Sequence, residues 1–106
     1  MHPTMLYKFR SKAAGDVIML GPNGDQLMRL LGRDPAPKGI FEPADMPAAI
    51  QALKDAVAAE EAAREQAERD GQAPAPREVA LRQRVWPMVE MMQRAHRADE
   101  PIVWGV

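Results

Sequence analysis

Met5-Leu6-Tyr7-Lys8-Phe9-Arg10-Ser11-Lys12-Ala13-Ala14-Gly15-Asp16-Val17-Ile18-Met19-Leu20 is the stretch on which the fold turns. Tyr7 and Phe9 alternate with Lys8 and Arg10, the period-two pattern of a strand with one buried face. Lys12 to Asp16 reads as a short polar connection, and Val17 to Leu20 as a second, almost continuous apolar strand. Two strands this close in sequence form a hairpin. A hairpin alone is marginal in water, so the rest of the chain must supply further strands and a helical cover.

Working outward, Gly21-Pro22-Asn23-Gly24 ends the hairpin, and from Asp25 the positions Leu27, Met28, Leu30 and Leu31 follow helical spacing, with Gly32 placed for a left-handed C-terminal cap. Asp34 to Gly39 is a proline-rich turn, after which Ile40-Phe41 predicts a short third strand stopped by Pro43. Asp45 is the expected N-cap of a long helix carrying Ile50, Leu53 and Val57 on its core side. Beyond Val57 the same stripe meets Glu61 and Arg64, so the second half of the helix, to about Asp70, has nothing large to bury and is expected to project. Gly71 to Pro76 breaks it as an interhelix loop. A last helix, from about Glu78 to Ala98, holds Leu81, Val85, Met88, Met92 and Ala95 on one face, with Pro87 predicting a kink or a restart one turn earlier. Ile102 to Val106 closes the chain as a strand.

These readings predict an α+β domain. Its small antiparallel sheet consists of the N-terminal hairpin, one short strand and the C-terminal strand, packed with one short helix and a long two-helix hairpin. A chain of 106 residues is one domain, residues 1–106, with 1–4 expected as a flexible extension. Residues 54–72 carry three basic and six acidic side chains, whereas 77–97 carry five and two, so the two arms of the helical hairpin should attract each other.

Composition removes several classes of function. Without cysteine there is no disulfide framework, thiolate metal site or cysteine nucleophile, and the cytoplasm is the default compartment. No run of apolar residues is long enough to span a membrane. A net charge of -1 argues against a general nucleic-acid binder. His2 and His96 have no partner at metal-ligand spacing, and Ser11 and Lys12 sit in no nucleophile motif. Asp16, Asp25 and Asp34 fall at turns and a helix start, where aspartate bonds local backbone. Most of the eight methionines fall on apolar stripes and read as core filler, so the residues imply no metal and no cofactor.

Two surfaces remain as candidates for partner contact. Trp86 and Met91 fall off the apolar stripe of the last helix on opposite sides, although Pro87 could swing Trp86 into the core. Along the long helix Ala49, Ala52, Ala56, Ala59, Ala63 and Ala67 recur at three- and four-residue steps. This seam could receive a helix of the same chain or of a second copy, and otherwise records plain helix propensity in an exposed arm. The leading expectation is a non-enzymatic protein-interaction or regulatory domain that uses the helical hairpin surface, with a second copy or another protein as partner. The alternative, from a different class, is a small-molecule or phosphate site at the Gly21–Gly24 helix start, with Asn23 and Gly24 joined by Arg33 or Lys38. An enzyme ranks third, since no acid, base or nucleophile is arranged by the sequence.

The segments Met5 to Leu20, Gly32 to Ile40, Met46 to Ile50, and Leu81 to Met88 with its downstream helix together resemble a bacterial domain-of-unknown-function family of small proteins. The resemblance spans nearly the whole chain and implies a bacterial cytoplasmic protein. It carries over no activity and no catalytic residue.

Overall fold

A computed structural model describes residues 5–72 and 80–106. The expected extension at 1–4, most of the interhelix loop at 71–76 and the expected helix start at Glu78 lie outside the described residues. Four antiparallel strands, β1 (Leu6–Ser11), β2 (Ala14–Leu20), β3 (Gly39–Phe41) and β4 (Ile102–Trp104), form one sheet in the order β2-β1-β4-β3. Three helices join them: α1 (Gly21–Leu30), α2 (Met46–Arg69) and α3 (Leu81–Arg97). The α+β class and the helical hairpin follow the sequence expectation.

Alternation along β1 and β2 works as the sequence implies. Tyr7, Phe9 and Met19 point into the core and are buried, while Leu6, Lys8, Ile18 and Leu20 point the other way and are exposed. On the inner face Phe9 lies at the centre of an aromatic group: Tyr7 stacks on it at 5.7 Å between centroids, and Trp104 meets it edge-on at 5.6 Å. Phe41 completes the group, 4.9 Å from Trp104. Edge and offset geometries of this kind suit the ring quadrupoles and add to the area buried. The two polar handles are satisfied, Tyr7 Oη donating to Asp25 Oδ1 at 2.6 Å and Trp104 Nε1 donating to the carbonyl of Ala36 at 3.0 Å.

Two boundaries and one cap differ from the sequence reading. The hairpin turn is tighter than expected, because Ala14 to Asp16 continue β2 rather than linking it to β1. The Gly21–Gly24 segment is the first turn of α1 rather than a turn before it, since Pro22 is pre-set for an early helical position and costs no needed amide donor there. Asp45 holds the N-cap position of α2 as expected, but its side chain makes no cap bond: the carboxylate accepts the Glu42 amide at 3.3 Å and faces Arg33 at 3.6 Å, closing a 3₁₀ turn at Pro43–Asp45. Gly32 does end α1 as expected, with φ of 73° and the Arg33 amide bonded back to the Met28 carbonyl.

Met46, Leu53 and Val57 are the buried residues of α2, so the helix loses its core contacts where the sequence stripe ends. α3 runs through Pro87 as one helix and buries Leu81, Val85, Met88, Val89, Met91, Met92 and Ala95. Its buried arc is wider than one stripe because it packs against α2 on one side and β2 on the other.

Candidate functional site

The expected contact residues of the helical hairpin separate into three environments. Met91 is buried, contrary to expectation: α3 also packs on β2, and Met91 lines a small groove with Ala14, Gly15 and Val17 at that second contact. Trp86 is half-buried, its ring packed on the core edge and covered by the Arg82 guanidinium at 4.7 Å. Of the alanine row, Ala52 and Ala56 are half-buried, whereas Ala59 and Ala63 are exposed. Ala49 and Ala52 line a cleft of about 310 Å³ with Leu31, Arg33 and Phe41.

Beyond the core contact of Leu53 and Val57 with the α3 side, the two helices of the hairpin meet through charge. Arg82 grips Glu61 with two nitrogens, at 2.9 and 3.3 Å, and Glu60 accepts the Leu81 amide at 3.2 Å while pairing with Arg64 one turn on. The hydrogen bond from Arg82 holds the Glu61 carboxyl below the usual glutamate range and raises Arg82 in return. This is the attraction expected between an acidic and a basic arm, and both partners are open to water.

The four residues of the expected phosphate site do not converge. Gly24 is buried against the ring of Tyr7, where a Cβ would overlap the aromatic carbons, so its lack of a side chain serves close packing of α1 on β1. Asn23 lines a groove beside β2. Arg33 lies in the separate cleft by α2, occupied by a hydrogen bond to the Ile40 carbonyl at 3.0 Å and by a stack over Phe41 at 4.5 Å. Lys38 is exposed and its backbone abuts Gly105. Among the described residues no cluster of histidine, aspartate and glutamate suits a metal ion, and no helix is long and apolar enough to cross a membrane.

The sequence reading did not single out the outer face of the sheet. Leu6 and Leu20 are cross-strand partners there, Ile18 is opposite Lys8, and Arg10, Val103 and Ile40 form a row across three strands. Leu6, Ile18, Leu20 and Ile40 are 52%, 59%, 64% and 40% exposed, and Met5 and Val106 more so. An antiparallel sheet with one solvated face ordinarily shows polar residues on it, so four exposed large aliphatics on one face are out of pattern. The signal was present in the alternation itself: Leu6, Ile18 and Leu20 occupy the phase opposite to Tyr7, Phe9 and Met19. Charges accompany them, with Lys8 3.7 Å from Asp16 and Arg10 reaching the Val106 carbonyl at 3.4 Å.

The second unoccupied feature is the free edge of β2. The Gly21 amide donates to the Met5 carbonyl at 2.9 Å, one step beyond the Leu6–Leu20 pair. Hydrogen-bonded pairs alternate along an antiparallel ladder, so Tyr7–Met19 and Phe9–Val17 are bonded and the main-chain groups of Ile18 and the amide of Leu20 point away from β1. Beside this edge runs a groove of about 450 Å³, lined by Asp16 to Leu20, Asn23, Gln83, Arg84 and Pro87. Arg84 Nε is buried with no hydrogen-bond partner among the described residues.

A family model described as "Domain of unknown function (DUF1840)" matches residues 5–104, and the chain therefore belongs to that family. No curated protein and no solved structure matches it.

Proposed function

We propose that this member of the DUF1840 family is a non-enzymatic protein-interaction domain that associates with a second copy of itself through the outer face of its sheet. The observation that carries the proposal is the aliphatic set Leu6, Ile18, Leu20 and Ile40 on a face that no described element covers. Together the four residues leave roughly 400 Å² open, the size of the largest and often functional patch on an ordinary monomer and about half of the ~800 Å² that each partner contributes to a standard interface, the rest of which Lys8, Arg10 and their neighbours on the face would supply.

The charges on the same face favour a second copy as the partner. Lys8 and Asp16 form an exposed pair within one chain. Across a two-fold axis each can exchange its partner for the equivalent residue of the other copy, so self-association costs no unpaired charge. This moves the expected contact surface from the helical hairpin to the sheet, because the buried Met91, the half-buried Trp86 and the ion-paired arms leave the hairpin without an apolar patch of comparable size.

Light scattering over a concentration series tests the proposal. The expected outcome is a mass that rises to twice the 11.7 kDa of the chain, and an Ile18→Lys variant that stays at the single-chain mass while keeping its fold. A single-chain mass at every concentration would overturn it.

A further inference from the structure

A separate feature, the free β2 edge and the groove beside it, points to a different ligand. We infer that the edge of β2 accepts an extended peptide segment of a partner protein as a fifth strand, with an acidic side chain of that segment seated against Arg84.

Three observations meet at this place. First, the edge is long and lightly protected. β2 has seven residues, and beyond Asp16, whose charge is paired with Lys8, its outer positions carry Ile18 and Leu20 with neither lysine nor proline, the residues by which natural edge strands most often discourage pairing. Second, the main-chain donors and acceptor are aimed correctly. The amide and carbonyl of Ile18 and the amide of Leu20 face outward, as the ladder on the β1 side requires. The edge stops at Leu20, whose carbonyl begins α1, so the pairing register is limited to a few residues. Third, the groove on the helix side has room for side chains and is lined by a cation that makes no ion pair among the described residues. Arg84 has its Nε buried with no acceptor among them, so a carboxylate seated in the groove against the rest of the guanidinium would give it charge-assisted bonds that the described residues do not supply. Asp16, the acidic residue of the same groove, is engaged with Lys8 and does not neutralise it.

Strand geometry then sets the ligand's pattern. In an antiparallel added strand the residues opposite Leu20 and Ile18 project on the outer face beside those two side chains, and aliphatic residues suit them. The residue opposite Met19 projects inward beside Asn23, Gln83 and Arg84, and this is the acidic position. The residue opposite Val17 projects inward towards Pro87, where a small aliphatic fits. Read from its N-terminus the segment is aliphatic, acidic, aliphatic, aliphatic. Main-chain bonds supply the general affinity of such strand addition and the alternating pockets its selectivity. Pro87 lines the same groove as an apolar wall. A second copy is a poorer occupant of this edge, since a two-fold pairing of β2 with β2 brings the two Arg84 side chains towards each other with no acid between them.

The experiment is an amide-resolved NMR titration of the whole chain with the capped hexapeptide Thr-Val-Glu-Val-Val-Thr, alongside the same peptide with glutamine in place of glutamate. The expected result is saturable shifts and slowed hydrogen exchange at the Ile18 and Leu20 amides, with the glutamate peptide binding about tenfold tighter than the glutamine one. Arg84→Gln should erase that tenfold difference while leaving the glutamine peptide's affinity unchanged. Arg84→Met, which keeps the side chain's apolar stem, repeats the test if the first variant loses its dispersed spectrum. Absence of shifts at Ile18 and Leu20 up to millimolar peptide would overturn the inference, as would equal binding of the two peptides. So would protection of these two amides that rises with protein concentration alone, because a second copy would then occupy the edge. Association through the outer face leaves the Ile18 and Leu20 amides exchanging, so failure of the sheet-face proposal and failure of this one give different spectra.

Discussion

The inner and outer faces of the sheet are built from alternate residues of the same strands, yet they differ in what closes them. Inside, Tyr7, Phe9, Phe41 and Trp104 pack ring against ring beneath three helices, and every one is buried. Outside, Leu6, Ile18, Leu20 and Ile40 are separate aliphatic side chains with Lys8 and Arg10 between them, and they face solvent. The difference teaches that apolar content alone does not identify a core. What the inner set has and the outer set lacks is a covering element among the described residues.

The largest effect should come from breaking the inner face at its centre. Phe9→Ala removes a ring in contact with three others and leaves a cavity that rigid neighbours cannot fill, at a cost of about 3–5 kcal/mol, a large part of the stability of a domain this size. Ile18→Thr on the outer face should change folding stability by no more than about 0.5 kcal/mol. Urea unfolding of the two variants, measured at concentrations where the chain is a single copy, gives the comparison directly. An Ile18→Thr cost of the same order as Phe9→Ala would show that the outer face is closed within the chain.

A smaller and more local effect is expected at Gly24. Its Cα lies against the face of Tyr7, and the Cβ of an alanine would occupy the position of the ring carbons. In an open helix, glycine to alanine gains up to about 1 kcal/mol. Here the sign should reverse, with Gly24→Ala costing about 1–3 kcal/mol as Tyr7 is displaced and its bond to Asp25 is strained. A melting temperature lowered by several degrees would show that the inner face extends to the start of α1, whereas an unchanged or raised one would confine it to the strands and the later turns of the helices.

Much of the inner face could be read from the sequence because its signals are local. Period-two alternation placed Tyr7 and Phe9, helical spacing placed Leu53, Val57, Leu81, Val85 and Met88, and Gly32 fixed the end of α1 through a backbone conformation that few other residues adopt. Strand order was not legible, because β4 enters between β1 and β3 through contacts that span most of the chain. Met91 was misplaced for a related reason: a helix wheel finds one buried stripe, and the second partner of α3 is known only once the sheet is assembled. The outer face was not legible from alternation alone, because one apolar phase already accounts for a half-buried strand. Leu6, Ile18 and Leu20 make the other phase apolar too, and in a half-buried strand that excess is itself a signal of a binding face.

The smallest effect concerns the distal hairpin, where closure depends on exposed charge rather than buried area. The Arg82 hydrogen bond holds the Glu61 carboxyl below its ordinary range in the folded chain. A carboxylate whose folded value is depressed binds its proton less readily folded than unfolded, so its contribution to stability is fully present above the unfolded value and fades as pH falls through the folded one. Glu61→Gln removes that contribution. Because both side chains are open to water, the pair is weak and screened by salt, and the variant should melt only slightly below the parent at neutral pH and low ionic strength. The gap should close on acidification below the usual glutamate range, and equally on addition of salt at neutral pH. A gap that persists under both conditions would mean that the α2–α3 arms are held by packing after all. The hairpin would then belong with the inner face, and the boundary where apolar closure gives way to charge would lie farther out than Val57.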